Sequence, residues 1–301
     1  MSLLQKVALV PDGTDIDPSE LNRVAGALSK QVQRDFSPLW RIDAVVDAFT
    51  RLEDVEVDYW PIVIVRDVEG AAGYHEDKDG QPYALVQHDP DWSLTASHEC
   101  LEMLADPFGR RVYAANLLDQ AIGLGLPPNR VRYLVEVCDP SEAGNFAYHV
   151  NDILVSDFYT PHYFDPVKSS GVQYSFTGSI NGPREVLDGG YISWQDLTNG
   201  HWMQLRMFPD QFANGPHVVD LSAQPEFAKF LESEISIRAA IDRVTQHPPY
   251  VKSVSETMLT AARVNRGATN SSRVGRAKSL REVIQRYRET AKKQDGGKKP
   301  K

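Results

Sequence analysis

The sequence predicts an α+β protein. A mixed sheet with packed helices is expected over residues 1–110, a β-rich part ending in a helix over 111–250, and a basic tail over 251–301. Three observations lead there. Before residue 70 a β-rich run, an amphipathic run and a second β-rich run alternate, which favours a sheet with a helix packed on it. Between 111 and 222, short aromatic-rich runs are separated by Gly, Pro and Asn. Charge divides the chain: from Lys252 onward there are 14 Lys+Arg against 4 Asp+Glu, which leaves 18 basic and 37 acidic residues before it.

The elements follow in order. "KVALV" reads as a strand, "DPSELNRVAGALSKQVQRDF" as a helix with Asp17 or Ser19 near its start, and "PIVIVRD" as a buried strand. "AAGYHEDKDGQPYALVQ" reads as a hairpin or edge strand turning at "DKDG". "RVRYLVEVCDP" reads as a strand ending in a turn, and "ILVSDFYTPHYF", "GVQYSFTGSI", "GGYISWQDL" and "HWMQLRMF" as further strands. "QPEFAKFLESEISIRAAIDRVTQ" is helical, and "KSLREVIQRYRETAKK" is expected as a basic helix in a flexible tail.

At 301 residues and 42% hydrophobic, the chain can bury one large core or two modest ones. Two cysteines are too few for a disulfide scaffold. No run approaches the roughly 20 apolar residues of a membrane span, and "MSLLQKVALVPDGTD" lacks a signal-peptide core, so the expectation is a cytoplasmic protein with no membrane contact.

The stretch "LTASHECLEMLADPFG", residues 94 to 109, places His98, Glu99 and Glu102 in an H-E-x-x-E pattern. At about 100° per residue from His98, Glu102 lies near 40°, Asp106 near 80° and Glu99 near 100°. Leu94, Cys100, Leu101, Leu104 and Ala105 form the apolar back. His98 and Glu102, one turn apart, can reach one cation, and nitrogen plus carboxylate oxygen is an ordinary zinc ligand set. Glu99 sits where a general base for a metal-activated water is needed. The plainer reading is an exposed polar helix face. Asp106 precedes Pro107, which stops the helix, and is a further acid at its end that can ligate or orient a ligand.

A catalytic zinc site takes three protein ligands, and "YLVEVCDPSE" offers Glu136, Asp139 and Glu142. Glu136, flanked by Val135 and Val137, is the expected third ligand. Its alternative is a buried acid paired with an arginine such as Arg130 or Arg132. Asp139, before Pro140, is a turn residue, an alternative ligand or a partner that orients one.

"SHECLEMLADP", followed some 30 residues later by "EVCDP", resembles an uncharacterised bacterial zincin-like group, a metallopeptidase-type family whose helix reads S-H-E-x-x-E-x-x-x-D-P. The plant Exordium-type proteins are more distantly similar. "DYWPIVIVRD", "AAGYH", "SDFYTPHYFDP" and "GGYISW" extend the resemblance over about residues 5 to 245. It implies a zincin-type sheet and helix, zinc at His98 and Glu102, and Glu99 as catalytic base. The chain departs from the well-known zinc peptidases at Glu102, where a carboxylate replaces a histidine and lowers the site's positive charge.

Other residues carry less. His75 or Tyr74, just before the helix, can contact substrate, although the plainer reading of His75 is an exposed loop histidine. His149, His162 and Tyr163 are candidate donors to a tetrahedral intermediate, with nothing in their spacing to select one. Trp194, Trp202, Tyr191 and Phe208 fit a binding platform or the core. Cys100 points away from His98 and reads as a small hydrophobe. No Gly-rich phosphate loop is present. Two functions follow. One is a zinc-dependent hydrolase, a metallopeptidase acting on a peptide or protein substrate. The other is a non-catalytic binding or assembly protein with a structural or degenerate metal site. Another divalent cation remains an alternative to zinc in an oxygen-rich site. The basic tail can touch nucleic acid, but the acidic body opposes broad phosphate binding.

Overall fold

The computed structural model describes residues 4–68, 72–208, 215–232, 236–245 and 281. The architecture is α+β. Strand β1 (Gln5–Pro11) leads to helix α1 (Pro18–Lys30). Its N-cap is Asp17, whose carboxylate accepts the N–H of Ser19 at 2.8 Å. The helix widens into a π-helical turn over Gln31–Phe36, continues as α2 (Ser37–Trp40), and stops at Arg41 in the left-handed region, φ 57°.

Strands β2 (Ala44–Ala48), β3 (Tyr59–Val65), β4 (Gly73–Lys78) and β5 (Gln81–Gln87) complete the first sheet, in the order β2-β1-β3-β5-β4. Four strands run parallel, and β4 pairs antiparallel with β5 at the edge. The expected hairpin is thus present, turning at Asp79 and Gly80, both at positive φ. Residues alternate between two faces. Val7, Leu9, Ile62, Ile64, Ala84 and Val86 join the main core with α1 and helix α3 (Trp92–Ala105), while Ala8, Val10, Val63, Val65 and Leu85 pack with Leu52 and Val55 on the other side. Burial on both faces is why these strands read as continuous apolar runs.

The second sheet is antiparallel and contains β6 (Val112–Asn116), β7 (Arg130–Leu134), β10 (Tyr191–Asp196), β11 (Trp202–Arg206) and β12 (His217–Asp220), in the order β12-β11-β10-β7-β6. A short helix α4 (Asp119–Gly123) links β6 to β7, and β8 (Tyr148–Val150) with β9 (Ile153–Val155) forms a separate hairpin. Val131, Tyr133, Ile192, Trp194 and Leu205 belong to the same core cluster as the first sheet. Leu134, Trp202 and Leu221 face the other way, against helices α5 (Pro225–Glu232) and α6 (Ile237–Val244).

Four expectations change. Of "ILVSDFYTPHYF", only Ile153–Val155 is strand, and Pro161–Phe164 is a 3-10 turn. The C-terminal helical run is two helices, the second capped by Ser236. "GVQYSFTGSI" is not a strand but a loop with an isolated bridge, Tyr159 to Ser175. Strand β7 ends at Leu134, so Glu136 stands beyond it. Apart from Arg281, which pairs with Asp12 and Glu53, the expected tail lies outside the described residues. No helix among the described residues is long and apolar enough to cross a membrane.

Candidate metal centre

Helix α3 is buried on nearly every side. Its apolar back, including Cys100, Leu101 and Leu104, packs on the first sheet and into the main core. Ser97 hydrogen-bonds Gln31 at 2.8 Å and accepts the N–H of Ser156 at 2.9 Å, which fixes the helix between α1 and the segment after β9. The polar face is not exposed: residues 136–142 and α6 cover it, and Glu102 is 0% and Glu99 3% exposed.

His98, Asp139 and Glu142 place one ligand atom each within 4.8 Å of one another. His98 Nε2 lies 3.1 Å from Asp139 Oδ1 and 3.5 Å from Glu102 Oε1. In tetrahedral zinc sites with bonds of about 2.0–2.2 Å, neighbouring donors lie roughly 3.3–3.6 Å apart, close to these separations. Glu102 uses its two oxygens differently: Oε1 accepts the backbone N–H of Cys138 at 3.1 Å, and Oε2 accepts a hydrogen bond from Arg238 Nη1.

Glu136 turns toward Arg238, its Oε1 3.4 Å from Nη1. The arginine pairing weighed from sequence is therefore present, but with Arg238; Arg130 and Arg132 are exposed. The group around His98 contains Asp139 and Glu142 where Glu136 was expected, because β7 ends before Glu136 and the strand alternation that aimed it no longer holds.

On the other side of Glu102, His75 from the edge strand β4 meets Glu99. His75 is not an exposed loop histidine: it is 1% exposed, with Nδ1 3.3 Å from Glu99 Oε2 and 3.9 Å from Glu102 Oε2. Its Nε2 lies 3.2 Å from the carbonyl of Asp106, while Nδ1 faces the carboxylates of Glu99 and Glu102. Asp106 itself closes the helix: its Oδ2 accepts the N–H of Arg111 at 2.7 Å.

The electrostatics follow from burial and crowding. Burial pushes the carboxyls of Glu136, Asp139 and Glu142 up, and neighbouring charge adds to it, from Asp139 on Glu136 and Glu142 and from Glu102 on Asp139. For Glu102 burial is outweighed by Arg238 and His98, which hold its carboxyl well below the usual range. Burial pushes His98 down, but Glu102 and Asp139 outweigh it and hold the imidazole well above its ordinary value. Burial alone pushes the Cys100 thiol up to about 12, and burial also raises Cys138, so neither offers a ready thiolate.

The centre leaves many polar atoms unanswered. Among the described residues ten buried side-chain N or O atoms have no hydrogen-bond partner. Seven of them belong to Glu136, Asp139, Ser141, Tyr159 and Arg238. Orphaned buried groups are rare and costly, and here they concentrate beside His98 and Glu102.

Of the donors weighed from sequence, His149 and His162 are exposed, His162 pairing with Asp165 at 3.0 Å, and Tyr163 gives its hydroxyl to the Glu185 carbonyl at 3.1 Å. Tyr159 was missed. Its ring stacks on Tyr163 at 4.3 Å between centroids, and burial raises its hydroxyl well above the ordinary value, with the charges of Glu102, Glu136 and Asp139 adding to it. Arg238 was missed as well; the apolar spacing of α6 marks a helix, and nothing local marks its arginine. Trp194 and Trp202 are core residues. No family model, curated protein or solved structure matches this chain.

Proposed function

We propose that this protein is a divalent-metal hydrolase of zincin-like type, acting on a peptide or protein bond in the cytoplasm, with zinc held by His98, Glu102 and Asp139 and with Glu142 at hand as a third oxygen donor. The observation that carries this is the meeting of one imidazole with several buried or half-buried carboxylates: His98 Nε2 lies 3.1 Å from Asp139 and 3.5 Å from Glu102, and Glu142 joins the same group. Uncompensated buried carboxylates are expensive, and a cation is the partner that satisfies several at once. The donor separations and the mixed nitrogen and oxygen set fit zinc. Both cysteines are free thiols, in keeping with a reducing compartment.

The ion would supply Lewis-acid activation of a water and of a scissile carbonyl. The chain supplies the rest. Glu99, one residue after His98, is the proton acceptor. His75 Nδ1 beside it shares that proton, held in register by the Asp106 carbonyl on Nε2. Glu136, displaced to Arg238, orients that arginine and does not ligate.

One observation favours a second reading, a structural ion without catalysis: Glu99 is buried and already engaged by His75. Glu99→Gln separates the two. The hydrolase reading expects full zinc content and hydrolysis of a peptide library reduced at least about 100-fold, the scale of a lost acid–base group. Peptide cleavage undiminished by the substitution, or absent in the zinc-loaded wild type, leaves the structural ion.

A further inference from the structure

Glu102 stands where the helix of a zinc peptidase carries a histidine, which adds one negative charge to the centre. The structure returns a positive charge from far along the chain. Arg238, at the start of α6, is 4% exposed. Its Nη1 donates to Glu102 Oε2 and lies 3.4 Å from Glu136 Oε1, and its Nε lies 3.5 Å from Asp242 Oδ2. The other oxygen of Glu102 is the one that faces His98 Nε2. The guanidinium is delivered by a docked element: Ser236 caps α6 by accepting the Ala239 N–H at 3.0 Å, the Arg238 N–H donates to the Gly109 carbonyl at 3.1 Å, and Ala240 and Ile241 pack with Leu134, Trp202, Leu221 and Phe227.

We propose that Arg238 is the positioning residue that lets Glu102 serve as a metal ligand in the place of a histidine: it holds Oε2, offsets its charge and leaves Oε1, which the Cys138 N–H steadies, facing His98. The proposal rests on the reading of this centre as a metal site. The guanidinium offsets part of the charge that a carboxylate in the place of the second histidine adds, a charge it also shares with Glu136 and Asp242. A rigid fork suits the task, since it pins one carboxylate oxygen without covering the other. The C-terminal helix is on this account part of the site, not an appendage to it.

The opposite role is a guanidinium that merely fills the place of the cation, and it has the opposite signature. Zinc affinity of the full chain, measured by competition with a chromogenic chelator, decides between them. Partners that orient metal ligands are typically worth about 10–100-fold in affinity, so Arg238→Met is expected to weaken zinc binding at least about tenfold, and Arg238→Lys to recover part of the loss. Because Arg238 acts through Glu102, the double variant Arg238→Met with Glu102→Ala should bind no worse than Glu102→Ala alone. The visible spectrum of the cobalt(II) form should change in the same way in Arg238→Met and Glu102→Ala. Unchanged or tighter zinc binding in Arg238→Met overturns the proposal, as does an additive double variant. Should Arg238→Met not fold, wild-type affinity in Arg238→Lys overturns it. A wild type that binds no zinc, or binds it equally well after His98→Ala, sinks the metal reading and this proposal with it. Wild-type binding with an indifferent Arg238 overturns this proposal alone.

Discussion

Tyr159 shows how much depends on single atoms here. Its hydroxyl is buried without a hydrogen-bond partner beside three acidic residues. An unsatisfied buried hydroxyl contributes nothing to stability and costs its desolvation. Tyr159→Phe is therefore expected to leave the thermal stability of the metal-free protein unchanged or to raise it by up to about 1 kcal/mol; a clear loss in a denaturation curve would contradict the orphaned hydroxyl. The residues that the sequence disclosed are those tied together locally. His98, Glu99 and Glu102 declare themselves because four-residue spacing fixes their common face, and Asp139 because it sits before a proline in an acidic turn. His75 misled because an edge strand ending in "HEDKDG" is polar in sequence, although the helix behind it buries the histidine. Arg238 lies 136 positions from Glu102, and no spacing rule spans that distance.

Two close backbone approaches hold the elements of the centre together. A Cβ at Gly73 on β4 would lie 2.6 Å from Thr95 Cγ2 and 3.2 Å from Glu99 Cγ, so the edge strand reaches α3 only because that position is bare. At Gly190, just before β10, a Cβ would lie 2.7 Å from the carbonyl oxygens of both Asp139 and Pro140, where no side-chain rotation relieves the clash. Gly190→Ala is thus expected to displace the turn carrying Asp139. The cost should be about 1–3 kcal/mol, as for other overpacked sites, and zinc affinity should fall with it. Wild-type stability and affinity together would show that the turn yields freely. At this scale the first sheet was legible, because its apolar runs and the "DKDG" turn are local signals. "GVQYSFTGSI" was not, because its aromatic residues serve the core from a loop: Phe176 stacks on Phe158 at 5.3 Å and the Tyr174 hydroxyl accepts the Ser169 N–H at 2.8 Å.

The molecule as a whole places two adjoining groups of candidate metal ligands, His75, Glu99 and Glu102 and then His98, Asp139 and Glu142, where two sheets share one core. Residues of both sheets and of α1 and α3 belong to a single apolar cluster, so the sequence's division near residue 110 marks a change of sheet type and not a break in the core. Unfolding is expected as one cooperative transition. Zinc at about 100 times its dissociation constant should stabilise the protein by about 2.7 kcal/mol. That shift is readable in a thermal melt and should vanish on addition of a chelator; two separated transitions, with zinc moving only one, would contradict the shared core. The central claim is that His98, Glu102 and Asp139 hold one ion while Glu136 serves Arg238. Zinc stoichiometry of the purified chain, by elemental analysis beside Glu102→Ala, Asp139→Ala and Glu136→Ala, tests it most directly. The account predicts one zinc per chain in the wild type and in Glu136→Ala, and well below one in the other two, whose weakened sites lose the ion during purification. A wild type without metal, or a stoichiometry lost with Glu136 and kept without Asp139, would contradict it.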